Sequence, residues 1–196
     1  NEPIDPNVAD LDGDTPLHCA AREGFIECVQ ILLQQNGINV NARDRHGATP
    51  LHYAACYDKV ETIQCLLGCS AINPNITDEF HRSALQMSAI SGSCGAARVL
   101  ASDSRINPNA IDMAGSTPLL AAIAYGELDI VKEICSANGI DLNIKNKDNV
   151  APIEVAAFND KPEIVRYLAS IGADKSGLTH AIGQLSEPMR EVVSNL

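Results

Sequence analysis

The sequence predicts an all-α solenoid in which short antiparallel helix pairs stack in register and β-turn fingers protrude between them. Three observations predict it. A four-residue signature recurs at a step of 34 residues, a second marker recurs in the same phase, and each copy carries the signals of two short helices. The signature runs Thr15-Pro16-Leu17-His18, Thr49-Pro50-Leu51-His52, Ser83-Ala84-Leu85-Gln86, Thr117-Pro118-Leu119-Leu120 and Ala151-Pro152-Ile153-Glu154. The marker runs Asp5-Pro6-Asn7, Asn39-Val40-Asn41, Asn73-Pro74-Asn75, Asn107-Pro108-Asn109 and Asp141-Leu142-Asn143.

Within one copy the local chemistry is that of a helix pair. The Thr15 hydroxyl can cap a helix, and Pro16 suits its first turn. Leu17, Ala20 and Ala21 share one face at i, i+3 and i+4, and Gly24 closes the helix. Ile26, Val29, Leu32 and Leu33 give the second helix its apolar face. Gly37 and Asn39 to Asn41 lead into an extended arm, and Asp44 to Gly47 supply turn chemistry before the next signature. Small pairs such as Ala20-Ala21, Ala54-Ala55 and Ala156-Ala157 allow close packing. A single pair cannot bury its apolar face alone, but a stack can.

Five full repeats therefore start near residues 10, 44, 78, 112 and 146, after the tail of a preceding repeat at 1–9. The array covers 1–177, and 178–196 reads as a degenerate closing repeat. In that closing segment Thr179 to Leu185 reads as a short helix. Ser186-Glu187-Pro188 starts another, with Met189, Val192, Val193 and Leu196 at helical spacing. The copies are unequal. His81 and Asn149 stand where the turn glycine is expected, Ala84 where proline is expected, and Ala151 where the capping threonine is expected. The second helix of the third copy, from about Ser93 to Ala101, is thin in large apolar residues.

Composition narrows the function. The chain has 196 residues, 45% apolar and 20% charged, which suits a globular domain with its own core. Its formal net charge of −11 disfavours nucleic acid and favours basic partners. No apolar run approaches the length of a membrane span. Its 7 cysteines are scattered, odd in number and free of CxxC pairs, so a reducing compartment, cytoplasmic or nuclear, is expected. No signal peptide is visible and the first residue is not Met, so a piece of a longer protein is expected.

Reactive residues have structural explanations in this reading. His18 and His52 belong to the signature, where the imidazole holds turn and helix start together. His52 and Cys56 lie at i, i+4 and can in principle ligate zinc or form a thiol–imidazole pair. No further ligand pair and no oxyanion element accompanies them. Cys19, Cys28 and Cys65 are expected to pack as small hydrophobes. The glycines follow the repeat and form no phosphate loop. No catalytic residue, metal or cofactor is predicted, and thiol chemistry at Cys56 is the enzyme alternative.

The segments DGDTPLHCAAREG and RHGATPLHYAACYD resemble the ankyrin repeat, and the resemblance covers essentially residues 1–177. The tetratricopeptide repeat shares the 34-residue period, but its aromatic signature and its Trp are absent. The usual ankyrin period is about 33 residues; the extra residue falls at Gln35-Asn36 and its equivalents. The resemblance implies a protein-binding module or scaffold whose concave groove is lined by finger tips and the exposed ends of first helices. The alternative is a non-catalytic recruitment part of a larger effector, channel or ubiquitin-ligase subunit. The resemblance also implies possible hydroxylation of Asn41 in the outgoing arm.

Carried over by position, the tips include Leu11-Asp12-Asp14, Arg45-His46-Ala48 and Glu79-Phe80-Arg82. The exposed helix pairs are Arg22-Glu23, Cys56-Tyr57, Ile90-Ser91, Ala124-Tyr125 and Phe158-Asn159. The chain has only 4 Tyr and 3 Phe, and Tyr57, Phe80, Tyr125 and Phe158 all fall on these positions. With Ile90 and Met113 they form a candidate apolar binding set for another protein or peptide. Arg43, Arg45, His46 and Arg82 add a candidate basic edge, with ordinary solvated charges as the plainer reading. Tyr125 and Phe158, on adjacent first helices, are expected to meet across the stack.

Overall fold

The computed structural model describes residues 5–196, so residues 1–4 of the expected leading tail lie outside the described residues. Within them the chain forms helix pairs, as the repeat requires. The pairs are α1 (Pro16–Glu23) with α2 (Ile26–Leu33), α3 (Pro50–Cys56) with α4 (Val60–Leu67), and α5 (Ala84–Ile90) with α6 (Cys94–Ser102). There follow α7 (Pro118–Tyr125) with α8 (Leu128–Cys135), and α9 (Pro152–Phe158) with α10 (Pro162–Ser170). A closing pair, α11 (Ser176–Ala181) and α12 (Glu187–Ser194), is joined by a 3-10 turn (Ile182–Gln184). No strand forms among the described residues.

The first helices stack on one another, as do the second helices, and the core is the seam between the two rows. The signature leucine or isoleucine is the repeating plug: Leu17, Leu51, Leu85, Leu119 and Ile153 are all buried. Second helices contribute Val29, Ile63, Leu66, Leu100, Ile130, Ile134, Ile164 and Leu168. The thin α6 is fully formed. Its small residues let α4 come close: a Cβ on Gly95 would lie 2.7 Å from a Val60 methyl and 3.0 Å from the Asp58 carboxylate. Asp58 in turn accepts a hydrogen bond from the Ala96 N–H at 2.6 Å, capping the first turn of α6 from the neighbouring repeat.

Helix starts follow the sequence. Thr15, Thr49, Ser83, Thr117 and Ala151 are extended N-caps, four of them followed by proline at the first helical position. Asn149 and His81 hold φ of 61°, the left-handed turn conformation that Gly13, Gly47 and Gly115 hold elsewhere. In the closing segment the first helix begins at Ser176, three residues before the expected Thr179. The second matches expectation, with the Ser186 hydroxyl accepting from the Met189 N–H at 3.3 Å. Leu178, Leu185, Met189 and Val192 are buried there. At the opposite end the outer face of the first pair is open, and Phe25 and Ile31 are exposed. Cys28 lies on that face and is exposed, which corrects its expected packing; Cys19 and Cys65 are half-buried. Among the described residues no helix pair lies outside position 28.

Candidate functional site

The groove is built by three kinds of hydrogen bond that repeat along the stack. The first joins helix starts to the next finger. The Thr15 N–H donates to His18 Nδ1 at 3.0 Å, and His18 Nε2 donates to the Ala48 carbonyl at 3.2 Å. Thr49, His52 and the Arg82 carbonyl repeat this at 3.1 and 3.0 Å. In the third repeat Gln86 does the work of the imidazole: its Oε1 accepts from the Ser83 N–H at 3.0 Å and its Nε2 donates to the Ser116 carbonyl at 2.7 Å. These bonds fix the histidine tautomer, because a carbonyl can only accept. Burial lowers the pKa of both His18 and His52. With both ring nitrogens of His52 engaged, it is unavailable to a metal or to Cys56. The Cys56 thiol lies 3.1 Å from the Ser91 hydroxyl instead.

The second kind joins finger to finger along the backbone. Arg45 N–H donates to the Asp12 carbonyl at 3.0 Å, Glu79 to His46 at 2.8 Å and Met113 to Phe80 at 2.9 Å. The third joins arm to arm through asparagine. Asn41 Nδ2 donates to the Ala71 carbonyl and its Oδ1 accepts from the Asn73 N–H, both at 2.8 Å. Asn7, Asn75 and Asn109 repeat this pattern. Asn41 is half-buried and bonded like its equivalents.

On this frame the fingers present their side chains. Asp44 is buried; its Oδ1 accepts from the N–H groups of His46 and Ala48, and its Oδ2 from the Tyr53 hydroxyl, all at 2.8 Å. Burial and that bond raise the Tyr53 pKa. Asp78 binds the N–H groups of Phe80 and Arg82 and pairs with the Arg82 guanidinium at 2.6 Å. The same guanidinium lies 4.7 Å from the Phe80 ring centroid, a cation–π contact. Across the tips runs a chain of contacts. Arg45 pairs with Asp12 at 2.6 Å and donates to His46 Nε2 at 3.1 Å, and His46 Nδ1 lies 2.6 Å from Glu79. Exposed pairs of this kind add little stability, about 0–1 kcal/mol each, but they orient side chains.

Between the second and third fingers an open cavity of about 320 Å3 brings together four candidates: His46, Tyr57, Phe80 and Arg82. Such a volume falls at the low end for ligand pockets, roughly 300–1,000 Å3. Arg45, Ile90, Met113, Tyr125 and Phe158 do not line it. Tyr57, Phe80, Met113, Tyr125 and Phe158 are between 42% and 60% exposed, which for large apolar side chains marks an unfilled surface. Ile90 differs from expectation: it is half-buried against the core, where an aliphatic side chain gains by leaving water. Asp14, expected at a tip, is buried and paired with Arg22 at 2.9 Å. No ring contact forms between Tyr125 and Phe158 among the described residues; the ring pair that forms is His18 with Tyr53. One residue of offset turns a helical side chain by about 100°, so the two aromatics leave their helices in different directions.

Sequence reasoning missed Tyr53 and Met87, which line the cavity one helical turn before the exposed helix ends. Their i, i+4 relation to Tyr57 and Ser91 was the available signal. A cavity of about 480 Å3 opens between α10 and α12, far along the stack from these residues, and no candidate lines it. Among the described residues, no group of three or more His, Cys, Asp or Glu side chains is placed to hold a metal, and no helix is long and apolar enough to cross a membrane.

Comparison with known proteins adds one finding. The family model for ankyrin repeats, in 3 copies, matches residues 2–78, 59–146 and 85–179. No curated protein matches the chain. Repeats of this family are generally protein–protein interaction modules and typically non-catalytic. With the matched segments covering nearly the whole sequence, and the Thr-Pro-Leu-His helix starts, fingers and arms all in place, the chain belongs to the ankyrin-repeat family.

Proposed function

We propose that the chain binds another protein or peptide through its concave groove, centred on the cavity between the second and third fingers. The observation that carries this reading is the convergence of His46, Tyr57, Phe80 and Arg82 on one open cavity with exposed aromatic walls. Met113, Tyr125 and Phe158 extend the apolar surface along the groove, with Arg45 at its edge. The frame is pre-organised by the hydrogen bonds of helix starts, fingers and arms, which lowers the ordering cost of binding. No catalytic role is assigned. The groove serves equally in a free scaffold or in the recruitment part of a larger intracellular protein. Residues 178–196 act as the closing cap, and hydroxylation of Asn41 would place an added oxygen on an arm already held at both amide atoms.

Partner capture by the wild-type chain, compared with the Tyr57→Ala/Phe80→Ala double variant, tests the reading. Loss of about 2 kcal/mol or more in affinity, with unchanged melting, is the hot-spot result. A partner held equally well by both proteins moves the site off this cavity. The Tyr125→Ala/Phe158→Ala variant is expected to lose less, because those rings stand apart.

A further inference from the structure

The chemistry of the cavity selects its occupant. Two of the cations near the cavity, Arg82 and Arg45, are already neutralised from inside; a third, Arg43, bonds beside Gly47 to the Thr77 carbonyl and has no carboxylate partner among the described residues. The Arg82 guanidinium is held by buried Asp78 and lies on the Phe80 ring, and Arg45 is held by Asp12. Asp44 has both oxygens bonded by neutral donors beneath the cavity floor. Glu79 differs: it is partly exposed, and the His46 imidazole is its hydrogen-bond partner. Glu79 and Asp44 outnumber Arg43, so carboxylate stays in excess around the cavity, on a chain of net charge −11. The walls are apolar or aromatic: Tyr57, Phe80, Met87 and the ring of Tyr53.

A low-polarity slot rimmed by negative charge fits an apolar anchor carried on a positively charged strand. Resting on the groove reading above, we infer that the cavity takes one aromatic or long aliphatic side chain from a basic segment of a partner polypeptide. The anchor fills the space between Tyr57 and Phe80. Flanking lysines or arginines face Glu79. An acidic segment meets repulsion at the same rim, so the sign of charge is the discriminating property.

Fluorescence anisotropy of short labelled peptides with the 196-residue chain tests this. The probes are a tryptophan flanked by lysines, the same tryptophan flanked by glutamates, and the lysine peptide with alanine for tryptophan. The lysine–tryptophan probe is expected to bind at least about tenfold tighter than either other probe at low salt, and the margin over the glutamate probe should shrink as salt screens the charges. Phe80→Ala and, separately, Tyr57→Ala should remove most of the tryptophan advantage; both side chains are half-exposed, so the fold survives. Glu79→Gln should weaken the lysine probe and flatten its salt dependence. Equal binding of the two charge types, or a tryptophan advantage that survives both alanine variants, overturns the inference. If no probe binds while partner capture still depends on Tyr57 and Phe80, the basic-anchor inference fails and the groove reading stands.

Discussion

The junction between the second and third repeats and the junction between the fourth and fifth are built from the same parts, yet they are held differently. The former has its finger bond from Glu79 to His46, its helix-start bond from His52 to the Arg82 carbonyl, and its full arm bond at Asn75. At the latter, Leu120 replaces the histidine and has no polar atom to offer the next finger. No backbone bond from Lys147 to the preceding finger forms; its side chain folds over Gly115 and bonds to the Met113 carbonyl instead. The arm keeps the bond from the Asp174 N–H to Asn143 Oδ1, at a sequence separation of 31 where the others have 32. The extra residue of the earlier repeats is missing from the fifth. Apolar burial is continuous across both junctions, with Leu119, Ile123 and Ile153 as well buried as Leu51 and Leu85. Hydrophobic packing is thus common to both junctions, and the polar bonds are what distinguish them. The candidate cavity sits on the more fully bonded one.

The largest effect is expected from giving the second junction the chemistry of the fourth. His52→Leu leaves the buried Thr49 N–H without its bond and takes one of two donors from the Arg82 carbonyl, which keeps the Asp78 N–H. At roughly 1–3 kcal/mol for a buried unsatisfied group, a loss of about 2 kcal/mol in urea unfolding is expected. A loss below about 1 kcal/mol would mean the helix-start bonds do not distinguish the junctions.

Acidity offers a second lever. His18 and His52 have folded pKa values lowered below 6.5 by burial, so the unfolded chain takes up protons first as pH falls. Their contribution to stability is complete above pH 6.5 and is lost on acidification towards their lowered folded values. Gln86 shows that an amide makes both bonds without titrating. The His18→Gln/His52→Gln double variant should therefore fold at pH 7.5 and lose stability less steeply than the wild type below pH 6.5. Parallel pH profiles would contradict this assignment of the titrating groups.

Smaller effects are expected in the third repeat. Ala84 occupies the first helical position, and Ser83 before it is extended at φ −83° and ψ 165°, as a residue preceding proline must be. Ala84→Pro should stabilise by about 0.4–1 kcal/mol through the unfolded state. His81→Gly relieves a φ of 61° and should also raise the melting temperature. A lowered melting temperature for either would show that this finger has its own geometry.

Much of this was legible in the sequence because it is periodic. Helix starts, the buried leucines and the left-handed turns at His81 and Asn149 follow from position in the repeat. The cavity was half legible: tips and helix ends were readable, but Tyr53 and Met87 needed the groove floor in view. Which acids hold which bases was not legible, since Arg82 with Asp78 and Arg45 with Asp12 depend on side-chain directions. Of the expected basic edge, Arg45 and Arg82 are paired with carboxylates for that reason, whereas Arg43 meets only the Thr77 carbonyl. The meeting of Tyr125 with Phe158 failed because adjacency in the stack does not fix the direction of a ring.

The central claim is that the groove around the second and third fingers is pre-formed in the free protein. Amide hydrogen exchange of the uncomplexed chain tests it directly. The finger donors Arg45, Glu79 and Met113 should be protected, with Lys147 exchanging far faster and α9 to α12 opening at lower free energy than α3 to α6. Equal protection at Lys147 and Glu79, or fast exchange at all four amides, would contradict it.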